Sequence, residues 1–238
     1  MLLRLQNSFT AMDQAVRHQE RIANNLANAN TNGYRRDRVF VEVLNEEIDA
    51  EQAPTSTRQA GQWREDTTGA YQETGNPYDF AVEGEGFFVV STEAGEPRYT
   101  RAGHFMVDGE GTLRTPQGLA VEGEDGPIEL GPNDPPPVVN QDGTLMVNGA
   151  EVGKLRLVDF ADPQALDRLD GTLFTAQAEP EELEFGQVRQ GFLEGSNVNV
   201  VSEMSDMISH LRLFETHQKL MQTLDGKLDR VTRDLGRF

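Results

Sequence analysis

The stretch Ala23-Asn24-Asn25-Leu26-Ala27-Asn28-Ala29-Asn30-Thr31-Asn32-Gly33-Tyr34-Arg35-Arg36 decides how the chain begins. Its first half continues a spacing that starts upstream. Leu5, Phe9, Met12, Val16, Ala23 and Leu26 fall on one helical face, with polar Gln19 in the single gap. Alternating steps of four and three make this a heptad seam. No proline interrupts it. Asn32-Gly33 is a strong stop, because glycine takes the left-handed conformation that ends helices. Asparagine side chains both donate and accept hydrogen bonds. Asn24, Asn25 and Asn28 therefore suit either a helix exit or bonding to a neighbouring backbone.

The other end of the chain has the same character. Val200, Met204, Met207, Leu211, Phe214, Gln218 and Met221 keep the three/four spacing, and Leu224, Leu228, Val231 and Leu235 extend it. The pattern predicts a helix from about Val200 to Leu235, on the order of 50 Å long at the α-helical rise. Ser196 or Asn197 is placed to cap it, and Glu203 lies in the first turn where the helix dipole favours an anion. Each helix carries one apolar stripe that it cannot bury alone. The stripes can meet each other, other subunits, or both. An ordinary two-helix layer on a sheet would show the same spacing.

Between these ends the period changes. Val39 to Leu44 reads as a strand or short helix, and Ala50 to Thr74 has no periodicity and reads as an extended linker. From Tyr78 to Phe185 the pattern is β. Phe87-Phe88-Val89-Val90 is a short buried strand, and Asp108-Gly109 and Asp142-Gly143 are turns that precede strands. Gly84-Glu85-Gly86 lacks the third glycine of a dinucleotide loop and reads as a tight turn. The predicted fold class is α+β. Long N- and C-terminal helices form a coiled-coil-like layer, with an inserted antiparallel β domain and an extended linker. The expected divisions are an axial helix over 1–34, the linker over 35–76, the β domain over 77–190, and a turn with a second axial helix over 191–238.

The totals narrow the function. The chain has 238 residues, 40 acidic against 21 basic, and a formal net charge of −19. That charge repels phosphate, so nucleic acid is not an expected partner. There is no cysteine, which excludes disulfides, thiolate metal sites and a cysteine nucleophile. No apolar run approaches the ~20 residues that span a bilayer. Met1 to Phe9 lacks the basic start, apolar core and cleavage site of a secretory signal. The expectation is a protein that is not membrane-inserted and is cytosolic or exported with its N-terminus uncleaved.

Catalytic patterns are sparse. His210 and His217 stand two helical turns apart, about 10 Å, too far to share one ion. Asp206 and His210 have the spacing of a surface pair. No Gly-x-Ser-x-Gly elbow is present. Asp108 and Asp142 lack the ligand spacing of calcium loops. No catalytic, cofactor or metal site is expected. An alternative of a different class is a β-domain hydrolase acting on cell-wall polysaccharide. It would need two positioned carboxylates, which no motif nominates.

Three stretches resemble the flagellar axial family of rod and hook proteins. The first is the segment Ala23 to Arg36 quoted above. The second is Phe80-Ala81-Val82-Glu83-Gly84-Glu85-Gly86-Phe87-Phe88-Val89-Val90 with Tyr99-Thr100-Arg101-Ala102-Gly103-His104-Phe105. The third is Gln190-Gly191-Phe192-Leu193-Glu194-Gly195-Ser196-Asn197-Val198-Asn199-Val200. They occur in the family's order and spacing and span nearly the whole chain. The resemblance implies a structural, non-enzymatic subunit of the bacterial flagellar basal-body rod. It implies export by the flagellar type III apparatus and a place in the periplasm-spanning rod, among other rod subunits and further copies of itself. Gly153 to Pro163 is most similar to the proximal-rod branch, with the distal-rod branch as the alternative. The assembly interface implied is Leu5, Phe9, Met12, Val16, Asn24, Asn25, Leu26, Asn28, Thr31, Gly33 and Tyr34 on the N-terminal side. On the C-terminal side it is Gly195, Ser196, Asn197, Asn199, Met204, Met207, Leu211, Phe214 and Met221.

Overall fold

A computed structural model describes residues 2–44, 57–131, 134–183 and 187–235; at 2–11, 39–44, 57–63, 220, 224, 225 and 227–235 it describes the backbone alone. The expected fold class is corrected by it. The described chain is mainly β, with nineteen strands and only two α-helices, α1 (Leu2–Ala27) and α2 (Val200–Leu235). No coiled-coil layer of long helices organises it. The physical reason is visible along the seam. Coiled-coil packing needs the whole heptad row buried. Val16 is instead 40% exposed, Met204 50% and Leu211 38%.

The chain divides into two compact units, one of residues 1–27, 37–63 and 199–238, the other of 28–36 and 64–198. The first holds α1, α2 and a two-stranded sheet of β1 (Asp37–Leu44) and β2 (Thr57–Arg64). The strand β2 lies in the span where the sequence shows no periodicity. Its residues, Thr57-Arg58-Gln59-Ala60-Gly61-Gln62-Trp63-Arg64, alternate no apolar side chains. Among the described side chains of α1 the buried apolar residues are Ala15 and Ile22. The less exposed row of α2 is Glu203, Met207, His210, Phe214, His217 and Met221. Half of that row is the expected seam. The other half is polar, and two of its groups, Glu203 and His210, meet partners on α1. Glu203 is buried and accepts a hydrogen bond from Asn25 Nδ2 at 3.2 Å. Asn25 also donates to the Asp37 carbonyl at 2.9 Å and accepts from the Asp37 amide at 3.0 Å, so one side-chain amide fixes the start of β1. The cap of α2 is Asn199, whose Oδ1 accepts from the Ser202 amide at 3.1 Å, rather than Ser196 or Asn197.

His18 and His210 stack with ring centroids 4.9 Å apart. Burial, and then the neighbouring His210 ring, hold His18 below the ordinary imidazole value of 6.5. A folded value below the unfolded one means that the unfolded chain takes up the proton first. The contribution to stability is present above 6.5 and is lost as pH falls from there through the folded value. Helix melting followed by circular dichroism should therefore shift to lower temperature between pH about 7.5 and about 5. His18→Gln should flatten that dependence. A pH-independent transition in the parent chain would contradict it.

The second unit is β throughout. Its main sheet has ten strands. At the centre stands β5 (Phe87–Ser91), which follows β3 (Tyr71–Glu73) and β4 (Phe80–Glu83) and precedes β6 (Pro97–Thr100). All five residues of β5 are buried. Successive side chains of a strand point to opposite faces, and here both faces are core. Phe88 and Val90 join Phe80, Val82, Phe105, Leu113 and Val121, while Phe87 and Val89 join Tyr99, Phe160 and Phe174. Antiparallel partners flank β5, β6 on one side and Ala120–Gly123 on the other, with Leu157–Asp159 pairing as well. A three-stranded meander follows at Val138–Val139, Thr144–Val147 and Ala150–Lys154. The last two strands return to the first two. Gln187–Gln190 pairs with β4, and Phe192–Glu194 pairs with β3.

Candidate functional site

Those returning strands bring the three sequence motifs together within the second unit. The first motif contributes Gly33 to Arg36, the second Arg101 to Gly103, and the third Gln190 to Asn197. Gly33 turns at φ +73 and donates its amide to the Glu194 carbonyl at 2.8 Å. It lies so close to the second motif that a Cβ there would meet the Ala102 nitrogen at 2.4 Å. Only glycine permits both the conformation and the approach.

At the centre is a buried charge cluster. The Glu194 side chain is 1% exposed. It pairs with Arg35 at 3.0 Å and with Arg101 at 3.5 Å, both of them also buried. The Gly69 amide donates to the same carboxylate at 3.1 Å. Burial lowers the Arg101 pKa from its ordinary value, and the charge of Glu194 opposes that shift. The guanidinium stays protonated all the same. Arg35 donates further to the Asp66 carbonyl at 2.6 Å, and Arg101 to the Val82 carbonyl at 3.3 Å. Two cations against one carboxylate, each completed by backbone carbonyls, is an arrangement in which every charge depends on the others. Arg168 closes it from above Tyr34, its guanidinium carbon 4.4 Å from the ring centre, and donates to the Arg35 carbonyl at 2.6 Å.

Two amide side chains of the third motif act as backbone connectors. Asn197 Oδ1 accepts from the Arg36 amide at 2.7 Å, while its Nδ2 donates to the carbonyls of Glu65 at 2.8 Å and Thr67 at 3.0 Å. One residue thus ties the first motif to the segment that leads from β2 to β3. Gln190 Nε2 donates to the carbonyls of Pro77 at 2.8 Å and Pro137 at 2.6 Å, and its Oε1 accepts from Val139 at 3.1 Å. Asn197→Ala strands these backbone groups. The expected loss is about 1–3 kcal/mol of stability, read as a lower urea midpoint. An unchanged midpoint would show that water replaces the side chain without cost.

The assembly residues expected from sequence distribute over several environments. Asn25, Gly33, Tyr34 and Gly195 are buried within the chain. Met12, Leu26, Asn28, Thr31, Ser196, Asn197, Met207, Phe214 and Met221 are half-buried. Thr31 donates its hydroxyl to Asn28 Oδ1 at 3.2 Å, which tightens the turn after α1. Val16, Asn24, Asn199, Met204 and Leu211 are exposed. Leu5 and Phe9 lie on α1 where the side chains are outside the described residues. Sequence reading passed over Arg35, Arg101, Gln190 and Glu194 as site residues. The available signal was a run of basic and acidic residues inside motifs rich in glycine and aromatics. Among the described residues no group of three or more His, Asp or Glu could hold a metal ion, and no helix is long and apolar enough to cross a membrane.

Comparison with known proteins places each motif in a family segment. Residues 5–35 match the model described as Flagella basal body rod protein, and 81–147 match Flagellar hook protein FlgE/F/G D1 domain. Residues 189–234 match Flagellar basal body rod FlgEFG protein C-terminal. The chain is 34% identical to the flagellar basal-body rod protein FlgF of Rhizobium meliloti, over 90% of each chain. It is 34% identical to FlgF of Escherichia coli, over 94% of this chain and 96% of the relative. It is 30% identical to FlgG of Agrobacterium fabrum, over 95% and 97%. The chain belongs to the flagellar basal-body rod FlgF/FlgG family and is a structural subunit of the rod.

Proposed function

We propose that the chain is a proximal-rod subunit, exported through the flagellar type III apparatus and polymerised through its terminal segments, with a role that is mechanical rather than catalytic. The observation that carries the assembly reading is a second apolar row on α2. Val201, Met204, Ile208 and Leu211 are all exposed, while the other row of the helix holds the less exposed residues. Exposed apolar side chains at helical spacing form a stripe that a neighbouring molecule can cover. Val16 is the exposed apolar counterpart on α1. In this reading 1–34 and 191–238 supply the contacts between subunits, 35–76 connects, and 77–190 is the β domain that each subunit presents. The buried members of the expected interface, Asn25, Gly33, Tyr34 and Gly195, shape the segments that carry the contacts.

Heterologous contacts of this kind build an open helical polymer. The partners are other rod subunits and further copies of this chain. The proximal position is supported by the similarity of Gly153 to Pro163 to that branch, and FlgG relatives keep the distal position as its competitor.

Met204→Asp combined with Leu211→Asp places two charges on the exposed stripe. Incorporation into purified basal bodies, and with it motility, should fall by more than about tenfold, since desolvating each unpaired charge costs several kcal/mol. Circular dichroism of the isolated chain should be unchanged, because neither side chain is buried. Full incorporation would remove this stripe from the interface. Location of the tagged subunit along the basal body decides between the proximal and distal positions.

A further inference from the structure

The sequence contains two Asn-Gly pairs, Asn32-Gly33 and Asn148-Gly149. The fold treats them in opposite ways. Asn148 and Gly149 are the entire turn between Thr144–Val147 and Ala150–Lys154, with Val147 opposite Ala150. Asn148 stands at φ 54, the only non-glycine residue at positive φ among the described residues, and Gly149 follows at φ 81. Both are exposed, and a Cβ built on Gly149 would meet nothing within 4 Å. Among the described residues no acceptor holds the Gly149 amide. Gly33, by contrast, is buried against Arg101 and Ala102, and its amide is held by the Glu194 carbonyl at 2.8 Å.

We propose that Asn148 is a site of spontaneous deamidation in the folded protein, and that docking of Gly33 shields the chain's other Asn-Gly pair. The reaction needs the glycine amide nitrogen as nucleophile. At Gly149 that nitrogen loses its proton to solvent base and attacks the Asn148 side-chain carbonyl carbon. A new N–C bond closes a five-membered imide, the bond to the side-chain nitrogen breaks, and ammonia leaves with a proton from water. Water then opens the imide at either carbonyl, giving aspartate or isoaspartate. Net, one amide and one water become a carboxylate and ammonium, with no oxidant or cofactor. At Gly33 the same nitrogen is committed to a carbonyl acceptor in a dry setting, so attack there must wait for local opening.

The products differ in their effect. Aspartate adds one negative charge at the tip of the meander. Isoaspartate adds a methylene to the main chain inside a two-residue turn, whose length sets the register of the strands it joins. The proposal is independent of the chain's place in the rod.

The test is peptide mapping by mass spectrometry, with isoaspartyl methyltransferase labelling, of the full chain aged at mildly alkaline pH. Folded protein should convert Asn148 at least about tenfold faster than Asn32, the ratio expected when the slower site reacts only from an opened form. In concentrated urea the two rates should converge, since both are then unstructured Asn-Gly pairs. Asn148→Gly, which keeps the positive φ but has no side-chain carbonyl to attack, should remove the modified peptide and leave the Asn32 rate unchanged. Equal rates in the folded chain, or faster reaction at Asn32, would overturn the shielding. Reaction at both sites only in urea would overturn the assignment of Asn148.

Discussion

Glu194→Ala should lower the stability of the β unit by about 3–5 kcal/mol, because it leaves two buried cations facing each other without a counter-ion. The side chain is 1% exposed and pairs with Arg35 and Arg101, and the Gly69 amide loses its acceptor in the same step. The measurement is urea unfolding followed by circular dichroism, with a lower midpoint at unchanged slope. Glu194→Gln keeps the shape and the acceptor for Gly69 but still removes the charge, so it should fall between the parent and the alanine variant. Apolar replacement of all three residues should cost less than Glu194→Ala alone, as happens when a complete buried ion cluster is exchanged for hydrocarbon. A loss below about 1 kcal/mol for Glu194→Ala would mean that the arginine heads reach water once the carboxylate is gone.

Gly33→Ala is the second large effect. The left-handed conformation at φ +73 costs an alanine about 1–3 kcal/mol. The added Cβ meets the Ala102 nitrogen at 2.4 Å and the Arg101 carbonyl carbon at 2.6 Å, both rigid backbone atoms. Overpacking of this kind adds about 1–3 kcal/mol. The two terms share one cause of relief. If residues 28–36 detach from the β unit, strain and clash both disappear, and the Gly33 amide loses its bond to Glu194. Hydrogen exchange should therefore show Gly33 and Tyr34 unprotected in the variant while β5 keeps its protection. Retained protection at position 33 would show that the backbone of Arg101 and Ala102 shifts instead.

Much of this is legible in the sequence. The tight turn at Gly84-Glu85-Gly86 and the buried strand at Phe87 to Val90 follow from local chemistry that their sequences spell out. The coiled-coil expectation failed because a count of apolar residues cannot see a polar residue with a buried partner. Glu203 and His210 occupy the less exposed row of α2 because Asn25 and His18 meet them there, and Met204 and Leu211 are displaced to the surface. The strand at Thr57–Arg64 was hidden for a related reason. A ladder partner, β1, makes it a strand, and its own side chains carry no alternation. At the charge cluster each residue was visible singly. Their convergence was not, because it is a property of the pairing of β3 with Phe192–Glu194.

That pairing also has a kinetic meaning. Arg36 and Asn197 are joined across 161 residues of chain. Closing a loop of that length costs roughly 2.5 kcal/mol more than closing one of ten residues. Contacts this distant form late, and topologies rich in them fold slowly. A chain that emerges N-terminus first must therefore deliver Gln187 to Asn197 before β3, β4 and the first motif can acquire their partners. Until then the segments around Gly33 have nowhere to dock. The subunit is built to remain unfinished for most of its own emergence.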